Sequence, residues 1–334
     1  MEEHPSNGMT TIPVSPASFH VSDKISSSVY EGLLSNPKWL PSWLFYDSAG
    51  SRLFDEITRI PEYYVTRTER AILAERAGEI VSRAAGEHSL RLVELGAGSA
   101  DKTRLLLSAA VERQDTVFYE PVDVSASALV EAQMRIEEEI PGVLVCPRVE
   151  DYTHGLELDS TLPTERRLVL YIGSSIGNFE PGESLMLLER VRAALDPGDC
   201  LLLGVDLAKE QSVLLAAYDD KAGVTAAFNR NVLVRLNREL DADFRPEMFA
   251  HRADWNAAKS RMEMHLVSET KQTVWLPAID LRVDFEAGES IHTENSYKYR
   301  GGDAEALVAK AGFAHEATWT DERGWFAVCL ARAV

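Results

Sequence analysis

The sequence predicts an α/β protein: a doubly wound, mostly parallel sheet carrying a second, smaller α+β region. Three observations point there. Five apolar runs, at 90–95, 117–122, 143–147, 167–172 and 200–207, alternate with helical patterns at 102–113, 126–139 and 182–194. Continuous apolar strands between amphipathic helices indicate a sheet covered on both faces. The first run ends in Glu94-Leu95-Gly96-Ala97-Gly98, a turn where backbone must come close to something. After residue 208 the pattern shifts to short segments of period two.

Taken in order, residues 1–17 hold Pro, Ser and Thr without a basic-then-apolar leader and read as a flexible tail rather than a secretory signal. Residues 22–34 have helical polarity, and Pro37 and Pro41 break any element between them. Residues 46–51 read as a turn, 51–60 as a short helix, and 66–85 as a long helix with Ile72, Leu73, Ile80 and Val81 on one stripe. Asp196-Pro197-Gly198-Asp199 is a tight turn into the fifth central strand. Beyond it come a helix at 224–240, paired strands at 260–268 and 272–276, and a short strand at 291–294. A helix at 303–312 stops on glycine, and strands at 315–319 and 325–331 form a hairpin. The expected division is 65–208 with 299–334 as one domain, and 18–64 with 209–298 as the other.

A chain of 334 residues with 45% apolar and 26% charged residues is ordinary for a soluble globular protein. A net charge of -19 argues against nucleic-acid binding, because phosphates would be repelled. No apolar run approaches the roughly 18 residues of a membrane helix. Cys146, Cys200 and Cys329 are far apart in apolar settings and read as buried residues of a cytoplasmic protein. His251, His265 and His292 lack metal-ligand spacing, so no metal is expected, and no HExxH motif occurs.

Four segments carry chemistry. Gly96 and Gly98 clear a strand end, and the next helix would offer its amides. Asp101 stands where a third glycine would complete a dinucleotide fingerprint, so a ligand without a pyrophosphate fits better. Asp123 ends the second strand, where a carboxylate takes ribose hydroxyls; a structural turn with a capping Asp reads the same way. Asp151-Tyr152 follows the third strand, suited to an adenine edge or equally to an N-cap. Gly173 to Asn178 follows the fourth strand, and Asn178 offers both an acceptor and donors, for a carboxylate or amine or for a turn. Glu294 and Ser296, if extended, share a face and could hold a small polar ring, or could form a solvated strand edge.

These segments, together with Tyr46-Asp47, Glu56-Ile57-Thr58-Arg59, Pro61-Glu62-Tyr63-Tyr64, Lys102-Thr103-Arg104-Leu105-Leu106, Pro121-Val122-Asp123-Val124-Ser125 and Gly204-Val205-Asp206-Leu207, resemble the L-histidine Nα-methyltransferase (EgtD) family of ergothioneine biosynthesis. The likeness runs from about Leu33 to the C-terminus. It implies a class I methyltransferase that uses S-adenosylmethionine (SAM) to trimethylate the α-amine of histidine, giving hercynine. It further implies SAM contacts at Gly96, Gly98, Lys102, Asp123, Asp151 and Tyr152. Asn178 and Tyr218 would grip the substrate carboxylate, with Gly173 near the amine. Glu294 and Ser296 would read the imidazole, Tyr63 and Met264 would lie beside it, and Tyr46 or Tyr63 would handle amine protons. The partner is then a small molecule in the cytoplasm, with no nucleic acid, membrane or obligate protein partner. Competing expectations are methylation of another amino acid such as a prenylated tryptophan, a nicotinamide-dependent oxidoreductase, and a module that binds SAM without turnover.

Overall fold

The computed structural model describes residues 17–98, 100–159 and 161–334. The expected tail falls outside them, except for Ala17. Helix α1 (Ala17–Leu34) leads to the two-residue strand β1 (Lys38–Trp39), then α2 (Ser48–Ile57) and α3 (Tyr64–Ala85). The central region runs β2 (Ser89–Leu95), α4 (Thr103–Gln114), β3 (Val117–Asp123), α5 (Ala126–Glu139), β4 (Val143–Val145), β5 (Arg148–Val149), β6 (Glu165–Tyr171), α6 (Pro181–Ala193) and β7 (Cys200–Asp206). Two helices follow, α7 (Gln211–Tyr218) and α8 (Val224–Glu239), then β8 (Phe249–Asn256), β9 (Arg261–Ser268), β10 (Gln272–Leu276), β11 (Leu281–Phe285) and β12 (Ser290–Tyr297). The chain closes with α9 (Asp303–Lys310) and the hairpin of β13 (Phe313–Thr320) and β14 (Phe326–Ala333).

The large sheet has the order β13-β14-β7-β6-β2-β3-β4, with β5 also paired to β3. From β7 to β4 all neighbours are parallel, and β14 alone runs against them. Every residue of β7 is buried, as a strand covered on both faces requires. Leu92, Leu168, Leu170 and Leu202 pack with α3 and α4, whereas Val93, Val169, Leu201 and Leu203 pack with α6 and α9. Strand order reverses between β2 and β6, so the loops after these two strands flank the switch point where open α/β sheets bind ligands. The parallel direction brings Gly96, Asp123, Gly173 and Asp206 to one edge.

A second sheet, β1-β12-β9-β8, sits beside that edge, and its Met262, Met264 and Ile291 belong to the same hydrophobic core as α3 and α4.

Four expectations need correction. The strands at 260–268 and 272–276 do not pair with each other. β9 lies between β12 and β8, while β10 pairs with β11 in a separate two-stranded sheet. Period two identifies strands but not partners. Residues 46–51 are not a free turn: the Asp47 carboxylate accepts from Gly50 N at 2.7 Å and starts α2 at Ser48. The Pro37–Pro41 segment is not structureless, because Lys38 and Trp39 pair in parallel with Ile291 and His292. Cys146 is exposed, unlike Cys200 and Cys329, because it leaves the short edge strand β4 instead of continuing into the core.

Candidate functional site

The cofactor side forms where β2 and β3 end. Gly96 and Gly98 hold φ of +70° and +49°, which side chains with a Cβ adopt only at a cost. The Asp123 carboxylate accepts from Gly98 N (3.2 Å) and Ser125 N (2.9 Å), tying the two strand ends together. Burial pushes its carboxyl above the usual range. A Cβ at Gly98 would meet nothing within 4 Å, so the space beside Asp123 is open. The Tyr152 hydroxyl lies against Gly96 instead, 3.2 Å from where a Cβ would sit. Asp151 accepts from the Thr153 amide at 3.1 Å and pairs with Lys24 of α1, which holds its carboxyl low.

Lys102 stands just before α4 and pairs with Glu69, a fully buried carboxylate in the second turn of α3. Glu69 also accepts from Gly173 N, with both oxygens at 2.9 Å. One carboxylate thus joins the loops that flank the switch point. Gly204 of β7 permits it: a Cβ there would stand 2.1 Å from Glu69 Oε1. Glu69 was not among the residues the sequence marked. In a helix rich in Glu and Arg, its local pattern resembles that of a solvated residue.

The substrate side is built on β12. Its pairing with β9 shifts between His292 and Glu294, leaving Thr293 as an extra residue. The Thr293 hydroxyl donates to Asn229 Oδ1 (2.8 Å) of α8, which anchors this bulge. A bulge reverses the alternation of a strand. Ile291 points inward before it, and Glu294 and Ser296 point inward after it. His292 and Asn295 take the outer face, bonded to each other at 3.0 Å. Glu294 is 8% exposed and directly opposite Met264, which is buried. Among the described residues its carboxylate has no hydrogen-bond partner. Burial pushes it up to about 8, opposed by the charge of Lys298.

Ser296 bonds the Tyr218 hydroxyl at 2.7 Å. Beneath the pair lies a buried cluster the sequence did not reveal. Lys298 Nζ reaches Tyr218 Oη, Ser296 Oγ and Asp206 Oδ2, each at 2.8 Å. Asp206 also accepts from Tyr64 Oη at 2.7 Å and pairs with Lys209, whose ammonium is pushed down to about 8 by burial.

The adjacent tyrosines therefore part ways. Tyr64 spends its hydroxyl on Asp206, whereas the Tyr63 hydroxyl makes no hydrogen bond among the described residues. Tyr63 is pushed far above the usual phenol range, by burial first and then by Tyr218, Glu294, Asp206 and Glu69. Tyr46 is pushed up likewise, by burial and then by Glu294, Tyr63, Tyr218 and Asp123. Each phenol lies in reach of both halves of the site. Phe54 stands against both, with ring centroids 5.8 Å from Tyr46 and 6.2 Å from Tyr63, and Phe228 closes the same box. Asn178 ends a 3-10 turn (Ser175–Asn178) pressed on β12, where a Cβ at Gly177 would come 2.8 Å from Tyr297 O. Its side-chain amide is uncommitted among the described residues. The sequence-predicted residues thus gather in two adjoining groups at one sheet edge, and the space at Gly98 with the half-buried Asp123 suits a nucleoside.

Sequence comparison agrees with this geometry. The family described as "Histidine-specific methyltransferase, SAM-dependent" matches residues 25–333. A Mycobacterium tuberculosis protein named histidine N-alpha-methyltransferase is 45% identical over 91% of this chain and 93% of its own. Its Mycolicibacterium smegmatis namesake is also 45% identical, over 92% and 95%. A Claviceps purpurea 4-dimethylallyltryptophan N-methyltransferase is 26% identical over 91% and 93%. The chain belongs to the histidine-specific, SAM-dependent methyltransferase family.

Proposed function

We propose that this protein methylates the α-amine of L-histidine three times, giving hercynine, the betaine that enters ergothioneine biosynthesis. The observation that carries the substrate is Glu294: a buried carboxylate without a hydrogen-bond partner, on one face with Ser296. A buried carboxylate with no partner in the protein is free to accept from a ligand, which would offset the cost of its burial. An imidazole has a polar atom for each of the two residues. An indole has one N–H and no acceptor, so the reading suggested by the tryptophan-derivative relative would leave Ser296 unanswered.

SAM supplies an electrophilic methyl on its sulfonium when bound. Gly96, Gly98 and Asp123 would hold its ribose edge, Asp151 and Tyr152 its adenine, and Lys102 its carboxylate, sharing that ammonium with Glu69. Asn178 and Tyr218 would hold the histidine carboxylate, and the amine would lie near Gly173, Tyr46 and Tyr63. Met264 would pack beneath the ring. The amine attacks through its lone pair, so it must be neutral. With both phenols held protonated, Tyr46 and Tyr63 orient and relay protons and do not act as phenolate bases. Alignment of the amine then does most of the catalysis. The Phe54–Phe228 box faces the growing ammonium and stabilises it by cation–π contact. In this reading residues 18–64 and 209–298 bind the amino acid, 65–208 and 299–334 bind SAM, and the reaction is cytoplasmic. No helix among the described residues is long and apolar enough to cross a membrane.

The test is mass spectrometry of enzyme, SAM and a panel of amino acids. Mono-, di- and trimethylhistidine should appear in sequence. Preferential methylation of a tryptophan derivative, or no methylated histidine, would end the proposal.

A further inference from the structure

In the histidine reading, four side chains grip the two ends of the substrate: Asn178 and Tyr218 its carboxylate, Glu294 and Ser296 its ring. Three of them belong to one unit, because Tyr218 of α7 bonds Ser296 of β12 at 2.7 Å. Asn178 alone comes from the loop after β6, in a different stretch of the chain. The span between the Asn178 end and the ring end therefore depends on how that loop is seated against β12. Backbone supplies part of the seat: Gly177 lies so close that a Cβ would come 3.2 Å from Tyr297 N as well as 2.8 Å from its O. The Ser184 hydroxyl of α6, itself buried, donates to Ile176 O at 3.2 Å and so ties the turn to the helix behind it.

Glu180 supplies the rest. It caps α6 two residues after Asn178, where its N–H donates to Glu183 Oε2 at 2.9 Å. Its carboxylate crosses to the other sheet. Oε2 accepts from Tyr297 Oη at 2.5 Å, and Oε1 from Arg261 Nη1 at 2.5 Å and Asn295 Nδ2 at 3.4 Å. Asn295 and Tyr297 are the two neighbours of Ser296, so one carboxylate holds the strand on both sides of a ring contact. Exposed ion pairs between flexible side chains fix little. Here the cation is held: Arg261 is 7% exposed and also donates to Tyr297 Oη (2.8 Å) and Glu263 Oε1 (2.7 Å). A charged acceptor whose donors are pinned on β9 and β12 forms a network that fixes geometry.

We propose that Glu180 is a positioning residue that sets the span between the Asn178 grip and the ring grip, and so selects an amino acid with one methylene between its α-carbon and its ring. This rests on the histidine reading above. On a fixed span an added methylene forces either the ring or the amine out of place, and about 1 Å of misplacement costs on the order of a hundredfold in rate. The test is steady-state methylation of histidine and of homohistidine, which is one methylene longer. The wild type should prefer histidine in kcat/KM by about a hundredfold. In Glu180→Ala the histidine value should fall about tenfold while the homohistidine value stays within about threefold, so the preference narrows. Arg261 keeps Glu263 in this variant. Glu180→Gln keeps an oxygen for Tyr297 and Arg261 and should hold the preference within about threefold of wild type. Tyr297→Phe, which removes one bond of the clasp, should narrow it in the same direction and carries the test if the alanine variant does not fold. Calorimetry with S-adenosylhomocysteine checks folding, since the clasp lies outside the cofactor side. Equal losses on both substrates, as a merely loosened fold would give, or a wild type that methylates both alike, overturn the proposal. Absence of histidine methylation by the wild type would instead sink the function itself, so the two failures are distinguishable.

Discussion

Replacing Glu294 with Gln should stabilise the ligand-free protein while weakening its hold on histidine. The carboxyl is pushed up to about 8 from an ordinary 4.5 because it is buried, with only Lys298 opposing. In the unfolded chain it ionises from about pH 4.5, whereas the folded protein keeps its proton until about pH 8. Stability is therefore lost as pH rises between those values. The loss is ~1 kcal/mol at pH 5, ~3 kcal/mol at pH 7 and ~5 kcal/mol at pH 9. A buried amide carries its own unsatisfied cost, about 1–3 kcal/mol, but that cost does not change with pH. The readout is thus the growth of the melting difference between variant and wild type. A gain of ~4 kcal/mol from pH 5 to pH 9 corresponds to roughly 6 °C for a chain of this size. Histidine affinity should fall at the same time, about tenfold or more, as a hydrogen bond to a charged acceptor is replaced by a neutral one. Thermal unfolding at both pH values and calorimetry with histidine check the two halves. A melting difference that does not change with pH, or a variant less stable than wild type at pH 9, would refute the claim that this carboxylate is held at a cost for a ligand.

Three further outcomes follow from the same architecture. Glu69→Gln leaves Lys102 without its counter-charge at the join of the two subsites, so it should cost about 3 kcal/mol or more in chemical denaturation and weaken SAM binding; a loss under about 1 kcal/mol would mean the pair is idle. Phe54→Leu keeps apolar volume but removes one aromatic face from the box. The last methylation should slow relative to the first by roughly 2- to 30-fold, the range of about 0.5–2 kcal/mol for a cation–π contact, read as the mass-spectrometric ratio of trimethyl to monomethyl product. Thr293→Val keeps the bulge residue but removes the hydroxyl that ties it to Asn229 Oδ1. Leaving that buried amide oxygen unpaired costs about 1–3 kcal/mol, so histidine affinity should fall while binding of S-adenosylhomocysteine persists, and unchanged histidine affinity would show that this anchor does not aim the pair.

Thr293 also marks where sequence reasoning stops. The central alternation was legible because burial on both faces leaves continuous apolar runs, and β2, β3, β6 and β7 fall within two residues of the expected limits. Glu294 and Ser296 were legible as a pair, since positions two apart share a face whatever the strand does next. Which face was not legible. That depends on one inserted residue, fixed by Asn229 from a helix 64 positions away in the chain. The pairing of β9 with both β8 and β12 was hidden as well, since it too is set by contacts distant in the chain.

The buried charges were hidden more deeply. Glu69, Asp206, Lys209 and Lys298 look like surface residues in any local window, because nothing in a neighbouring sequence says that a Lys three residues after an Asp is sealed from water. Their burial is a property of the junction between two sheets. A junction of this kind gathers charge because it must be polar enough to hold an amino acid yet dry enough to keep its amine neutral. Three of these residues share one network, so a charge added or removed at any of them shifts the proton positions on Tyr218 and Ser296. Specificity at this site is therefore set as much by the partners of those two hydroxyls as by the residues that touch the ring, and variants meant to redirect the enzyme to other amino acids should change Lys298 together with Glu294.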